Sequence, residues 1–149
     1  MMRVFLEHLL FGPLGLATAG VPVRIDGVDR LIFGRLTNLL SDGDGHRQAW
    51  DWKGASSLKP CFKHFNVLRK GSSLAERKPG FVEIDCCDSA LFRSWAAAAV
   101  FKAADAVAAA RARVDAGDMP RRALAELEMA VGLNHNSHGM LMSPRLRFD

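Results

Sequence analysis

Ser41-Asp42-Gly43-Asp44-Gly45, then Trp50-Asp51-Trp52-Lys53-Gly54, then Lys59-Pro60-Cys61-Phe62-Lys63-His64 fall within residues 41–64 of this chain. An apolar run over 31–40 leads directly into two carboxylates set among glycines, and a Cys-x-x-His pair follows. Carboxylates at the end of a strand suit Mg²⁺ or Ca²⁺, whereas thiolate and imidazole suit Zn²⁺. Each signal also has a plainer explanation. Asp-Gly pairs are common turn formers. No bidentate Glu follows at calcium-loop spacing, and Gly43-Asp44-Gly45 is too short for a phosphate-binding loop. Cys61 and His64 supply two ligands where a tetrahedral zinc site needs four, with Cys86, Cys87, His135 and His138 as the available partners.

Upstream, residues 4–11 form an apolar segment, a buried helix or strand, that stops at Gly12-Pro13. Residues 20–29 read as a hairpin: Val21, Val23 and Ile25 alternate, and Asp26-Gly27 is a tight-turn signal. The run over 31–40 is a strand or the start of a helix, because periodicity does not separate the two over so short a length. Downstream, residues 41–80 are rich in Gly, Ser, Lys and Pro and read as loops, and residues 81–84 as a short strand.

Residues 89–116 are Ala-rich without Gly or Pro, which predicts a helix capped by Asp88 or Ser89. Phe92, Trp95, Ala99, Ala103 and Val107 fall near one face of it, and Gly117 ends it. Asp118 is placed to cap a second helix with Pro120 near its first turn, Leu124, Leu127 and Val131 on its apolar side, and Gly132 as its stop. The organisation expected is an α/β (α+β) region over 1–88 carrying the Cys/His loop, a helical hairpin over 89–133 and an irregular tail over 134–149.

A length of 149 residues with 49% apolar and 24% charged residues describes a globular protein with a real core and argues against wholesale disorder. Three cysteines, two of them adjacent, argue against a disulfide framework and for a reducing compartment, nuclear or cytoplasmic. The first twenty residues imitate a signal peptide loosely, but Glu7, His8 and Pro13 break the apolar stretch, so secretion and membrane insertion are not expected. The net charge of +4 is compatible with nucleic acid. Lys53, Lys59, Lys63, Arg69, Lys70, Arg77 and Lys78 interleave with Trp50, Trp52, Phe62 and Phe65. Cations neutralise phosphates and exposed aromatics stack on unpaired bases, while the bland alternative is a solvated loop with its aromatics folded inward.

The order Asp42, Trp52-Lys53-Gly54-Ala55-Ser56, Cys61-x-x-His64 resembles the core of CACTA-type transposases and related transposon-derived reading frames. There an apolar strand ends in an acid, an aromatic-Lys-Gly/Ser-x-Ser segment follows, and then a Cys-x-x-Cys. Gly20-Val21-Pro22-Val23 is similar to the segment before the acid in that family, and Gly132-Leu133-Asn134-His135-Asn136 with Gly139-Met140-Leu141 is similar to protist members. The resemblance implies an RNase H-like core holding two Mg²⁺ with three acids, of which Asp42 matches the second. The first acid would lie upstream and an Asp-x-Met-His motif downstream, which makes the chain a fragment or decayed copy, inactive alone. His64 stands where the family has cysteine, a change that still permits Zn²⁺. DNA is the implied partner, bound through Lys53, Lys59, Lys63, Arg69 and Lys70. Two other classes fit the residues: a small non-enzymatic domain that binds protein or RNA, and a hydrolase using Asp42, Asp44 and His46.

Overall fold

A mixed α+β arrangement results in the computed structural model, which describes residues 2–35 and 43–147. The opening apolar segment is a helix, α1 (Met2–Phe11), closed where Gly12 N–H bonds the His8 carbonyl at 3.0 Å before Pro13. Its Leu10 is buried against Met140, Leu146 and Ala49. The hairpin forms as its sequence predicts, with β1 (Val21–Ile25) antiparallel to β2 (Val28–Ile32). Asp26 and Gly27 both have positive φ, 52° and 78°, as a two-residue type I′ turn requires. Leu31 and Ile32 complete β2, whereas residues 36–42, with Asp42 and the rest of the apolar run, lie outside the described residues.

The span expected to be all loop contains two helices, α2 (Gly43–Ala49) and the five-residue α3 (Ser73–Arg77). Two glycines make α2 weak on propensity, and Ala49, packed against Leu10 and Met140, supplies the tertiary contact that holds it. Ser72 caps α3 by accepting from Leu74 N–H. The same span holds β3 (Val67–Leu68), which pairs in parallel with β4 (Val82–Glu83) inside the predicted strand over 81–84. The described strands therefore form two separate two-stranded sheets.

The helical hairpin is present, but its first member starts later than expected. Here α4 runs Ala97–Asp115, and Asp88 caps only a 3-10 turn, Ser89–Leu91. The reason is Asn66, whose side chain takes the backbone groups a helix would need. Its amide donates to the carbonyls of Gly80 (2.7 Å) and Leu91 (2.8 Å), and its Oδ1 accepts from Arg93 N–H (2.8 Å). Residues 92–95 are thereby held extended, and Phe65 N–H and Trp95 N–H bond across to the carbonyls of Arg93 and Lys63. The buried face of α4 shifts with the start: Ala104, Val107 and Ala110 are buried and Ala99 is exposed.

Asp118 also has a different role from the one its sequence position suggests. Its N–H reaches the Arg113 carbonyl and Gly117 N–H the Val114 carbonyl, with Gly117 at φ 85°, so both residues finish α4 in a Schellman motif. The next helix, α5 (Arg121–Val131), takes Pro120, expected near its first turn, as its N-cap in place of Asp118, and it stops at Gly132 as the sequence predicts. Among the described residues the tail has no helix longer than the 3-10 turn Met140–Met142, yet Met140, Leu141 and Leu146 are buried in the core.

Asn66 is fully buried and satisfies three backbone groups. Asn66→Ala should therefore cost about 2–4 kcal/mol of unfolding free energy, since it removes three part-buried hydrogen bonds worth about 0.5–1.5 kcal/mol each. Urea denaturation of the two proteins checks this.

Candidate nucleic-acid interface

The segment over 51–59 is fixed to the end of α5 by backbone pairing. Lys53 N–H bonds the Gly132 carbonyl, Asn134 N–H the Asp51 carbonyl, each at 2.8 Å, and Leu58 N–H the Met129 carbonyl at 3.1 Å. Trp52 is buried beneath this seam with Leu133, Leu141 and Ala104. Gly132 lets the strands close, because a Cβ there would lie 2.9 Å from the Lys59 carbonyl oxygen.

This seam divides the cations into two groups. Lys53 faces inward: its Nζ lies 2.9 Å from Glu128 Oε2 and 2.8 Å from Asn134 Oδ1, with its side chain only 18% exposed. It is a structural ion pair and is turned away from any external phosphate. Lys70 is exposed and paired with Asp85 at 3.0 Å, which raises the Lys70 pKa and lowers that of Asp85 through the shared hydrogen bond.

Lys59, Lys63, Lys78 and Arg93 form the other group. Lys59 is half-buried, with its Nζ over the Trp95 ring, 4.9 Å from the centroid. Burial pulls its pKa below the usual lysine value, and the charge of Lys78 adds to the effect. The Arg93 guanidinium lies against the open face of Gly80, and Lys63 is exposed beside Phe62, which is 42% exposed. Among the described residues, no carboxylate stands within salt-bridge distance of these four cations. Arg69 is exposed next to Lys70, its N–H bonded to the Leu58 carbonyl. Sequence reasoning missed Arg93, which lies far from the loop in the chain. Its only signal was the position between Phe92 and Trp95, read as a helical face.

Of the loop's aromatics, Trp52 is buried, Trp50 packs against the core and Phe65 stacks edge-on with Trp95 and Phe81, while Phe62 is 42% exposed. Cys61 and His64 do meet: Sγ and Nδ1 are 3.3 Å apart, close to the roughly 3.6 Å that two ligands of one tetrahedral zinc would show. The His64 ring also lies 5.2 Å from Phe92. Among the described residues, no group of three or more His, Cys, Asp and Glu side chains gathers to hold a metal. Cys61 and His64 are thus the two candidate zinc ligands that the described residues bring together. Asp42 lies outside the described residues, as do the side chains of Asp44 and His46, so the proposed Mg²⁺ ligand and hydrolase set have no described geometry.

Asp51 is the one carboxylate at the seam whose pKa is raised. Burial raises it, against the hydrogen bond from Asn136 Nδ2 at 2.7 Å and the charge of His135, which lower it. The residue sits in left-handed backbone, φ 55°. No family model, curated protein or solved structure matches the chain. No described helix is long and apolar enough to cross a membrane.

Because Lys53 is internal and Lys63 external, their removal should be felt differently. Lys53→Ala leaves Glu128 with its charge largely buried and should cost about 3 kcal/mol in chemical denaturation. Lys63→Ala should fall within about 0.5 kcal/mol of the parent.

The raised pKa of Asp51 sets a second expectation. A carboxyl that binds its proton more tightly when folded contributes stability below the ordinary value of 3.8 and loses it as pH rises through the folded value. Asp51→Asn keeps the left-handed backbone and an acceptor for Asn136 but does not titrate. Its unfolding free energy, measured across a pH series, should gain on the parent as pH climbs from below 3.8 and then level off. A constant difference would count against this assignment.

Proposed function

We propose that this chain is a non-catalytic, transposase-derived segment with an RNase H-like ancestry that binds the DNA backbone through Lys59, Lys63, Lys78 and Arg93. The observation that carries the reading is the placement of Lys59. A half-buried ammonium has been set on the Trp95 face, near Lys78 and beyond the reach of any described carboxylate. Folding gains nothing from holding like charges together, whereas an external phosphate compensates both. The resemblance to transposase sequences selects DNA among polyanions.

Affinity for a mixed-sequence oligonucleotide should fall steeply with salt, with log K linear in log salt and a slope of about −0.7 per phosphate engaged on a single strand. Replacing Lys63 and Lys78 together by alanine should flatten that slope by about 1.4 while leaving the denaturation midpoint in place. Fluorescence anisotropy over a salt series reads both. Salt-insensitive binding, or none, would sink the proposal.

A further inference from the structure

Asp85-Cys86-Cys87-Asp88 sets two thiols side by side on the segment that joins β4 to the 3-10 turn Ser89–Leu91. Its ends are held. Ile84 N–H bonds the Leu68 carbonyl at 2.9 Å, Asp85 pairs with Lys70 at 3.0 Å, and Asp88 accepts from Ala90 N–H at 3.0 Å. Its middle is not. Among the described residues, neither half of the peptide group that links the two cysteines, the Cys86 carbonyl and the Cys87 N–H, takes a hydrogen-bond partner. The thiols themselves are loosely placed: Cys86 Sγ reaches forward to the Asp88 carbonyl at 3.8 Å, and Cys87 Sγ back to the Asp85 carbonyl at 3.7 Å. Thiols are weak donors, so little is lost when these contacts break. Cys86 is partly buried, Cys87 is exposed, and both are free. The third cysteine, Cys61, is engaged with His64 instead.

We infer that Cys86 and Cys87 form a two-electron redox site that closes into a disulfide between adjacent residues, with a low-molecular-weight disulfide as the oxidant. Cys87, the more accessible thiol, reacts first. As thiolate it attacks one sulfur of the small disulfide, forming a mixed disulfide and releasing one small thiol, which takes up the proton that Cys87 gave. Cys86 then attacks the Cys87 sulfur, and the second small thiol leaves with the Cys86 proton. Two protein thiols are thereby oxidised to one disulfide, and the small disulfide is reduced to two thiols. Closing the ring requires the linking peptide to turn, and that peptide breaks no hydrogen bond in turning. Adjacent Cα atoms lie about 3.8 Å apart, short of the roughly 5.5–6 Å that an unstrained disulfide prefers. The ring is therefore strained and easily reduced, so it serves as a reversible switch and not as a structural staple.

Mass spectrometry of the full chain tests the proposal. The reduced, folded protein is incubated with excess hydroxyethyl disulfide, an uncharged probe, and digested with trypsin without reductant. Cleavage after Arg77 and Arg93 leaves both cysteines in one peptide that lacks Cys61. That peptide should be lighter than its reduced form by two hydrogen atoms, should carry no adduct, and should regain both hydrogens on treatment with dithiothreitol. In Cys86→Ser, where the second step has no attacking thiol, the adduct on Cys87 should persist. A peptide that stays reduced, or one with stable adducts on both sulfurs, would overturn the proposal. So would a disulfide from either residue to Cys61 or to a second chain, or a Cys86→Ser protein whose Cys87 stays unmodified.

Discussion

Asn66 is the residue on which the middle of this molecule depends. One fully buried side chain joins residues 66, 80 and 91–93 by taking two carbonyls and one N–H. Its own backbone carbonyl meanwhile accepts from Val82 N–H to start the β3–β4 pair. Buried peptide groups are costly when unpaired, so three otherwise irregular segments acquire a single arrangement. The extended 92–95 stretch, the late start of α4 and the position of Arg93 all follow from it.

Lys59 and Lys53 show how one stretch of sequence divides its charges. The seam between residues 51–53 and 132–134 turns Lys53 toward Glu128, where it completes a largely buried network with Asn134. Beyond the 3-10 turn Gly54–Ser56, Lys59 instead sets its ammonium over the Trp95 ring. Because backbone hydrogen bonds hold the flanking segments, a ligand at this face would order side chains alone, at about 0.5–1.5 kcal/mol each.

Local chemistry was legible in the sequence, and long-range chemistry was not. Asp26-Gly27 named a turn because that turn requires left-handed backbone at both residues, and Gly132 named a helix end for the same reason. The Ala-rich stretch identified α4 but not its start, since Phe92 and Trp95 suit a helical face until Asn66 claims the neighbouring backbone. Asp118 looked like an N-cap and instead closes the preceding helix, a choice made by the Gly117 beside it. The basic loop was visible as composition. Which of its lysines face solvent depends on Glu128 and Asn134, some eighty positions away. Cys61 and His64 meet because their spacing is a single turn of chain, while the remaining ligands of a zinc site would require contacts that no spacing specifies.

Gly139 has no backbone reason to be glycine, for its φ is not in the left-handed region. What excludes a larger residue is the Asp51 carboxylate, whose Oδ2 occupies the place a Cβ would take. Positions 51 and 139 are therefore bound together as a pair. A line of descent that shortens residue 51 frees residue 139 to acquire a side chain, and one that keeps the aspartate holds 139 at glycine. Among relatives of this chain, those two columns should change together although 88 positions separate them.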